Sequence, residues 1–86
     1  MPLIADYLGL VFYIYFADHP PPHVHVHYGS HKLTIDLQKA ELLVGYLPAK
    51  KRKQALKLVS KYQAELLEKW NEAQNGEVPK KMRVTL

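Results

Sequence analysis

Cysteine is absent from the 86 residues, which excludes a disulfide framework and any zinc site built on thiolates, and leaves a small domain to be held by packing or by a partner. The same absence points to the cytoplasm. Long hydrophobic runs are missing too, with no stretch near the roughly 20 apolar residues needed to span a bilayer. The amino-terminal Met1-Pro2-Leu3-Ile4-Ala5-Asp6 lacks the basic n-region of a signal peptide, so no membrane association is expected. Acidic residues are outnumbered, 8 Asp and Glu against 12 Lys and Arg, and the resulting +4 charge and pI near 9.4 suit a polyanionic partner without requiring one. No repeat, low-complexity tract or interdomain linker breaks the chain. What is there, 48% hydrophobic and 23% charged residues, reads as a single globular domain over 1–86 with one modest core.

Histidine is the residue in surplus. All five histidines, and three of the six prolines, fall in the stretch Asp18-His19-Pro20-Pro21-Pro22-His23-Val24-His25-Val26-His27-Tyr28-Gly29-Ser30-His31. From Pro22 on, histidine alternates with Val24, Val26 and Tyr28, so a strand places His23, His25 and His27 on one face. Prolines lack N–H groups and lock φ, so the preceding run is a stiff entry that holds His19 against the strand's start.

Around this element the chain predicts an α+β fold, an antiparallel sheet of about four strands with one long C-terminal helix packed on one face. Leu3 to Tyr7 is an apolar edge strand. Leu10 to Ala17 is β-branched and aromatic on both parities, with Leu10, Phe12, Ile14 and Phe16 on one side and Val11, Tyr13 and Tyr15 on the other, as in a central strand. Tyr28-Gly29-Ser30-His31 is a hairpin signal, and Lys32 to Leu37 alternates with Leu33, Ile35 and Leu37 inward. Gln38 to Tyr46 is transitional, a helical turn or a strand extension. From Pro48 to Gln74, Ala55, Val59, Tyr62, Leu66 and Trp70 recur at helical spacing, widened by Leu58 and Leu67, until Asn75-Gly76 stops the helix. The tail from Glu77 adds an edge strand or stays loose. Phe16, Tyr62 and Trp70 read as core. One helix covers one sheet face, which leaves Val11, Tyr13 and Tyr15 as an open aromatic patch unless the tail folds over it. Such a patch predicts self-association, a homo-oligomer, or a protein partner.

The Met-Pro start, Phe16-Ala17-Asp18-His19 followed by Pro21-Pro22-His23-Val24-His25, Glu41-Leu42-Leu43 with Gly45 and Leu47-Pro48, Glu65-Leu66-Leu67 with Trp70, and Lys80-Lys81-Met82 together resemble the small bacterial domain-of-unknown-function family 4160, almost end to end. The Asp-His-x-Pro-Pro-His-x-His core is the specific part. The chain departs from the family at Tyr13-Ile14, where many relatives carry a basic residue, and at Arg83-Val84-Thr85-Leu86, where relatives tend to end in an acidic or proline-containing tail. The resemblance implies a small neighbouring protein as partner and, as some members are described, the toxin of a type II toxin–antitoxin module.

Three readings of the histidines stand side by side. In the first, His19, His23 and His25 form a three-nitrogen metal site with Asp18 and Asp36 as outer carboxylates; no cysteine or His-Glu-x-x-His helix selects the metal, and the cofactor stays unknown. In the second, His19, His23 and His25 are catalytic, His23 and His25 serving as acid and base on the 2′-hydroxyl and leaving oxygen of RNA. Lys50, Lys53, Lys57 and Lys61, on one helix face with Lys51 and Arg52 nearby, would then bind the RNA backbone, and Tyr13, Tyr15 or Tyr28 would stack bases. A solvated helix face explains the same lysines. In the third, the histidines are structural, pairing across the sheet with Lys32, Thr34 or Asp36 in a non-catalytic interaction module, the reading favoured for His27 and His31.

Overall fold

The computed structural model describes residues 2–86. Five strands run in chain order, β1 (Leu3–Tyr7), β2 (Leu10–Tyr13), β3 (His23–Tyr28), β4 (His31–Asp36) and β5 (Glu41–Gly45), followed by two helices, α1 (Ala49–Lys61) and α2 (Gln63–Gln74). Each strand pairs antiparallel with the next, so spatial order and chain order coincide. The class is α+β as expected, with five strands in place of about four.

The added strand is β5, from the segment that sequence left transitional. Gly45 lets it close on β4: its φ is +102°, and a Cβ there would run into the Lys32 carbonyl oxygen and Leu33 Cα. The next amide, Tyr46 N–H, donates to the Lys32 carbonyl at 2.9 Å. The tight turn expected after Tyr28 joins β3 to β4, with Gly29 at φ +58°.

The expected helix from Pro48 to Gln74 is two helices because Tyr62, at φ −109° and ψ 24°, leaves helical geometry for one residue. The break is local. Tyr62 N–H still donates to Leu58 O at 3.0 Å, and Leu66 N–H to Tyr62 O at 2.9 Å. The Tyr62 hydroxyl meanwhile accepts from Thr85 N–H at 3.0 Å and donates to Thr85 O at 3.2 Å, tying the tail to the bend. At the far end Gly76 N–H donates to Ala73 O and Glu77 N–H to Glu72 O, with Gly76 left-handed, the Schellman arrangement that Asn75-Gly76 signals.

Parity decides where the core sits. Leu10, Phe12, Ile14, Val24, Val26, Leu33, Ile35 and Leu37 are buried on one sheet face against Ala55, Leu58, Val59, Leu66 and Trp70 of the helices. Among the described residues no side chain caps the start of α1, so its docking rests on this stripe, at about 1.5–3 kcal/mol for each fully buried Leu or Val. Phe16 corrects the expectation. β2 ends at Tyr13, the chain turns through Ala17 at φ +50°, and Phe16 is left 41% exposed instead of in the core. Neither helix is long and apolar enough to cross a membrane, among the described residues.

The tail does not fold over the open sheet face. Met82 is buried and its N–H donates to Ile4 O at 2.8 Å, while Lys81 Nζ meets Asp6 Oδ2 at 2.6 Å, so the tail runs along the outer edge of β1. Among the described residues the edge of β5 has no such cover, and Leu42, Leu43, Val44 and Tyr46 stand 43–66% exposed along it.

Candidate metal centre

On the face opposite the core, the register sets His23 beside Asp36, His25 beside Thr34 and His27 beside Lys32. The alternation of β3 therefore delivers the histidine row that its sequence predicts, and the rings are packed in series. Tyr13 lies 4.8 Å from His27, Tyr15 lies 4.1 Å from His25, and His23 and His25 meet edge to face at 5.0 Å between centroids. The aromatic patch expected beside the histidines is thus shared with them.

The chain between β2 and β3 brings in a third group. Left-handed Ala17 turns the backbone, the Pro20–Pro21 peptide is cis, and Asp18 comes back over the start of β3. Gln74 at the end of α2 holds this segment by donating from Nε2 to the Asp18 carbonyl at 3.1 Å, and Leu37 N–H donates to Pro22 O at 2.9 Å. His23 Nε2 then lies 2.9 Å, and His25 Nε2 3.1 Å, from the same carboxylate oxygen, Asp18 Oδ2. His19 N–H donates to the other oxygen, Oδ1, at 2.9 Å. Trp70 of α2 backs the site, 5.1 Å from the His23 ring.

Protons do not fit this arrangement without a cation. Pro21 O, 2.7 Å from His23 Nδ1, can only accept, so Nδ1 carries a hydrogen. A neutral His23 then turns the bare lone pair of Nε2 toward a carboxylate oxygen, which is repulsive. The contact becomes favourable when the ring is an imidazolium or when a metal ion takes the space between them. A carbonyl on Nδ1 with Nε2 left to ligate is how metal-bound histidines are held. Burial pushes the Asp18 carboxyl up, but the His25 hydrogen bond, the His19 amide and the charge and hydrogen bond of His23 outweigh it and hold the carboxyl below its ordinary value. It is an anion, as a ligand must be.

The ligand atoms of Asp18, His23 and His25 all lie within 4.8 Å of one another. A four-coordinate ion with bonds of about 2.0–2.1 Å separates its ligands by about 3.3 Å, so admitting one requires the pairs at 2.9 and 3.1 Å to open by a few tenths of an ångström and the two histidine nitrogens, within 4.8 Å of each other, to settle near the same separation. Three protein ligands leave a position free.

His19, expected as the third nitrogen, is not part of this centre. It is exposed and supplies only its backbone N–H, and the residue before it takes its place. Asp36, expected as an outer carboxylate, is the buried last residue of β4 and is engaged by the turn that follows, its Oδ1 accepting from Gln38 and Lys39 N–H at 2.8 and 2.9 Å. Burial, then the charges of Lys32 and His25, push His27 below the ordinary histidine value. His31 packs edge to face on Tyr46. Lys50, Lys53, Lys57 and Lys61 are all exposed on α1, across the sheet from the histidines, and Lys61 Nζ donates to Thr85 O at 2.7 Å.

Residues 9–71, which include Asp18, His23 and His25, match the family model described as Domain of unknown function (DUF4160). No curated protein matches the chain, and no solved structure does.

Proposed function

The chain belongs to this family of domains of unknown function, and from that footing we propose that it is a divalent-metal-binding domain in which Asp18, His23 and His25 hold the ion. The observation that carries the reading is the convergence of two Nε2 atoms on one carboxylate oxygen while His23 Nδ1 is committed to Pro21 O. Two imidazoles and a carboxylate suit zinc with an open position, or ferrous iron in a facial triad, and no thiolate is present to favour softer ions.

The reaction we propose for such an ion is hydrolysis of an RNA phosphodiester by a toxin-like protein. An ion held by Asp18, His23 and His25 would supply a Lewis acid able to acidify water at the open position. In that hydrolysis a water oxygen would bond to phosphorus as the bond from phosphorus to one ribose oxygen breaks, the proton lost by the water ending on that ribose oxygen. Tyr13 and Tyr15, packed beside the histidines, support an RNA substrate; the exposed lysines of α1 lie across the sheet and add no contact at the ion.

One observation favours a second reading, a non-catalytic module assembled with a second copy or a small protein partner: the uncovered edge of β5 with its exposed apolar side chains. Two measurements separate these readings. Elemental analysis of protein purified without an affinity tag is expected to find near-stoichiometric zinc or iron; metal-free protein that takes up neither zinc nor cobalt on dialysis overturns the metal centre. Expression is expected to arrest growth and His23→Ala, still folded, to relieve the arrest, whereas an inert wild type leaves the assembly module.

A further inference from the structure

Past His25, on the side away from Asp18, the open sheet face forms a groove of about 290 Å³ between β3, β4 and β5, lined chiefly by Tyr15, His25, His27, Lys32, Thr34 and Val44. Its polar inventory is one-sided. It holds an ammonium, two imidazoles, a hydroxyl and a phenol, and no carboxylate. Lys32 is exposed and, like every described lysine and arginine except Lys81, forms no ion pair among the described residues; it differs from the others in standing at a concave surface free of carboxylates. A cation left unpaired in a concave site is a place for an anion supplied from outside.

The other walls limit what that anion is attached to. Thr34 stands between His25 and Val44 in register, and Val44 is 66% exposed, so the β5 side of the groove is apolar. Tyr15, stacked on His25 at 4.1 Å, forms the aromatic wall. A small oxyanion alone would leave both surfaces wet, whereas a phosphate carried on a flat group uses the cation, the hydroxyl and the apolar walls together.

We propose that this groove binds one nucleotide unit, its phosphate on Lys32 and Thr34 and its base against Tyr15 and Val44. The proposal deepens the RNA reading above and rests on it for the choice of nucleotide among phosphate esters. Because His25 is both a wall of the groove and a ligand of the proposed ion, a nucleotide held here lies beside the metal centre, and the two sites are separable by mutation.

The test is titration of the zinc-loaded full chain with adenosine 5′-monophosphate, uridine 5′-monophosphate, uridine and inorganic phosphate, followed by amide chemical shifts. Zinc occupancy is followed in parallel by the fluorescence of Trp70, the single tryptophan. The nucleotides are expected to shift Thr34, Val44 and Gly45, and to bind more tightly than either uridine or phosphate. Lys32→Ala is expected to weaken them about tenfold while leaving the zinc titration unchanged. Asp18→Asn is expected to abolish the zinc response and to keep the nucleotide shifts. Shifts that map elsewhere, unchanged affinity in Lys32→Ala, or phosphate binding as tightly as the nucleotides each overturn the groove proposal. A zinc response that survives in Asp18→Asn overturns the metal centre instead.

Discussion

Asp18→Asn tests the centre most directly, because it keeps the shape of the side chain and removes its charge. In the wild type, zinc at one hundred times its dissociation constant stabilises the fold by about 2.7 kcal/mol. For a domain of this size each kcal/mol raises Tm by about 4–8 °C, so the expected shift is about 10–20 °C. If loss of the anionic ligand weakens zinc about a hundredfold, the same zinc concentration yields only about 0.4 kcal/mol, or about 2–3 °C. The variant also changes the group that faces the two imidazole nitrogens at 2.9 and 3.1 Å, which shifts its metal-free stability independently of zinc. The informative quantity is therefore the difference in Tm with and without zinc for each protein, read by circular dichroism or calorimetry. His19→Ala is the internal control and keeps the full shift, because only its backbone N–H reaches Asp18. A shift in Asp18→Asn equal to that of the wild type, or none in the wild type, would refute the argument.

Gly45→Ala places a Cβ against the Lys32 carbonyl and forces a side chain to φ +102°; a loss of about 2–3 kcal/mol is expected in urea denaturation, with faster hydrogen exchange in β5 than in β3. Val44→Lys puts a charge on the uncovered strand, where Val44 is 66% exposed, and is expected to lower the apparent mass in sedimentation if the wild type self-associates, with less than about 0.5 kcal/mol of effect on folding. Leu58→Ala, in the buried stripe of α1, is expected to cost about 2–5 kcal/mol by the same denaturation assay.

Local pattern accounts for most of what was legible in the sequence. Strand alternation put Val24 and Val26 in the core and His23 and His25 on the open face, and helical spacing picked out Ala55, Val59, Leu66 and Trp70, all buried. What periodicity could not supply is how a loop turns. Whether Asp18 or His19 meets the β3 histidines depends on Ala17 being left-handed and on Gln74, 56 residues along the chain, holding the Asp18 carbonyl. Tyr62 likewise sits correctly in the helical stripe, yet its hydroxyl is engaged by Thr85 at a bend that spacing does not encode. β5 stayed open between a helical turn and a strand because Leu42, Leu43 and Val44 are apolar in succession, with no alternation to decide between them.

The two ends of the sheet are unequal, and that inequality limits assembly. The C-terminal tail seals one margin through Met82 and Ile4, while the other offers free peptide groups. A molecule with a single sticky margin cannot grow into a fibre by strand addition: two copies meeting there through a twofold axis exhaust each other's capacity. Trimming the last residues would remove that stop and leave both margins of the sheet open to strand addition.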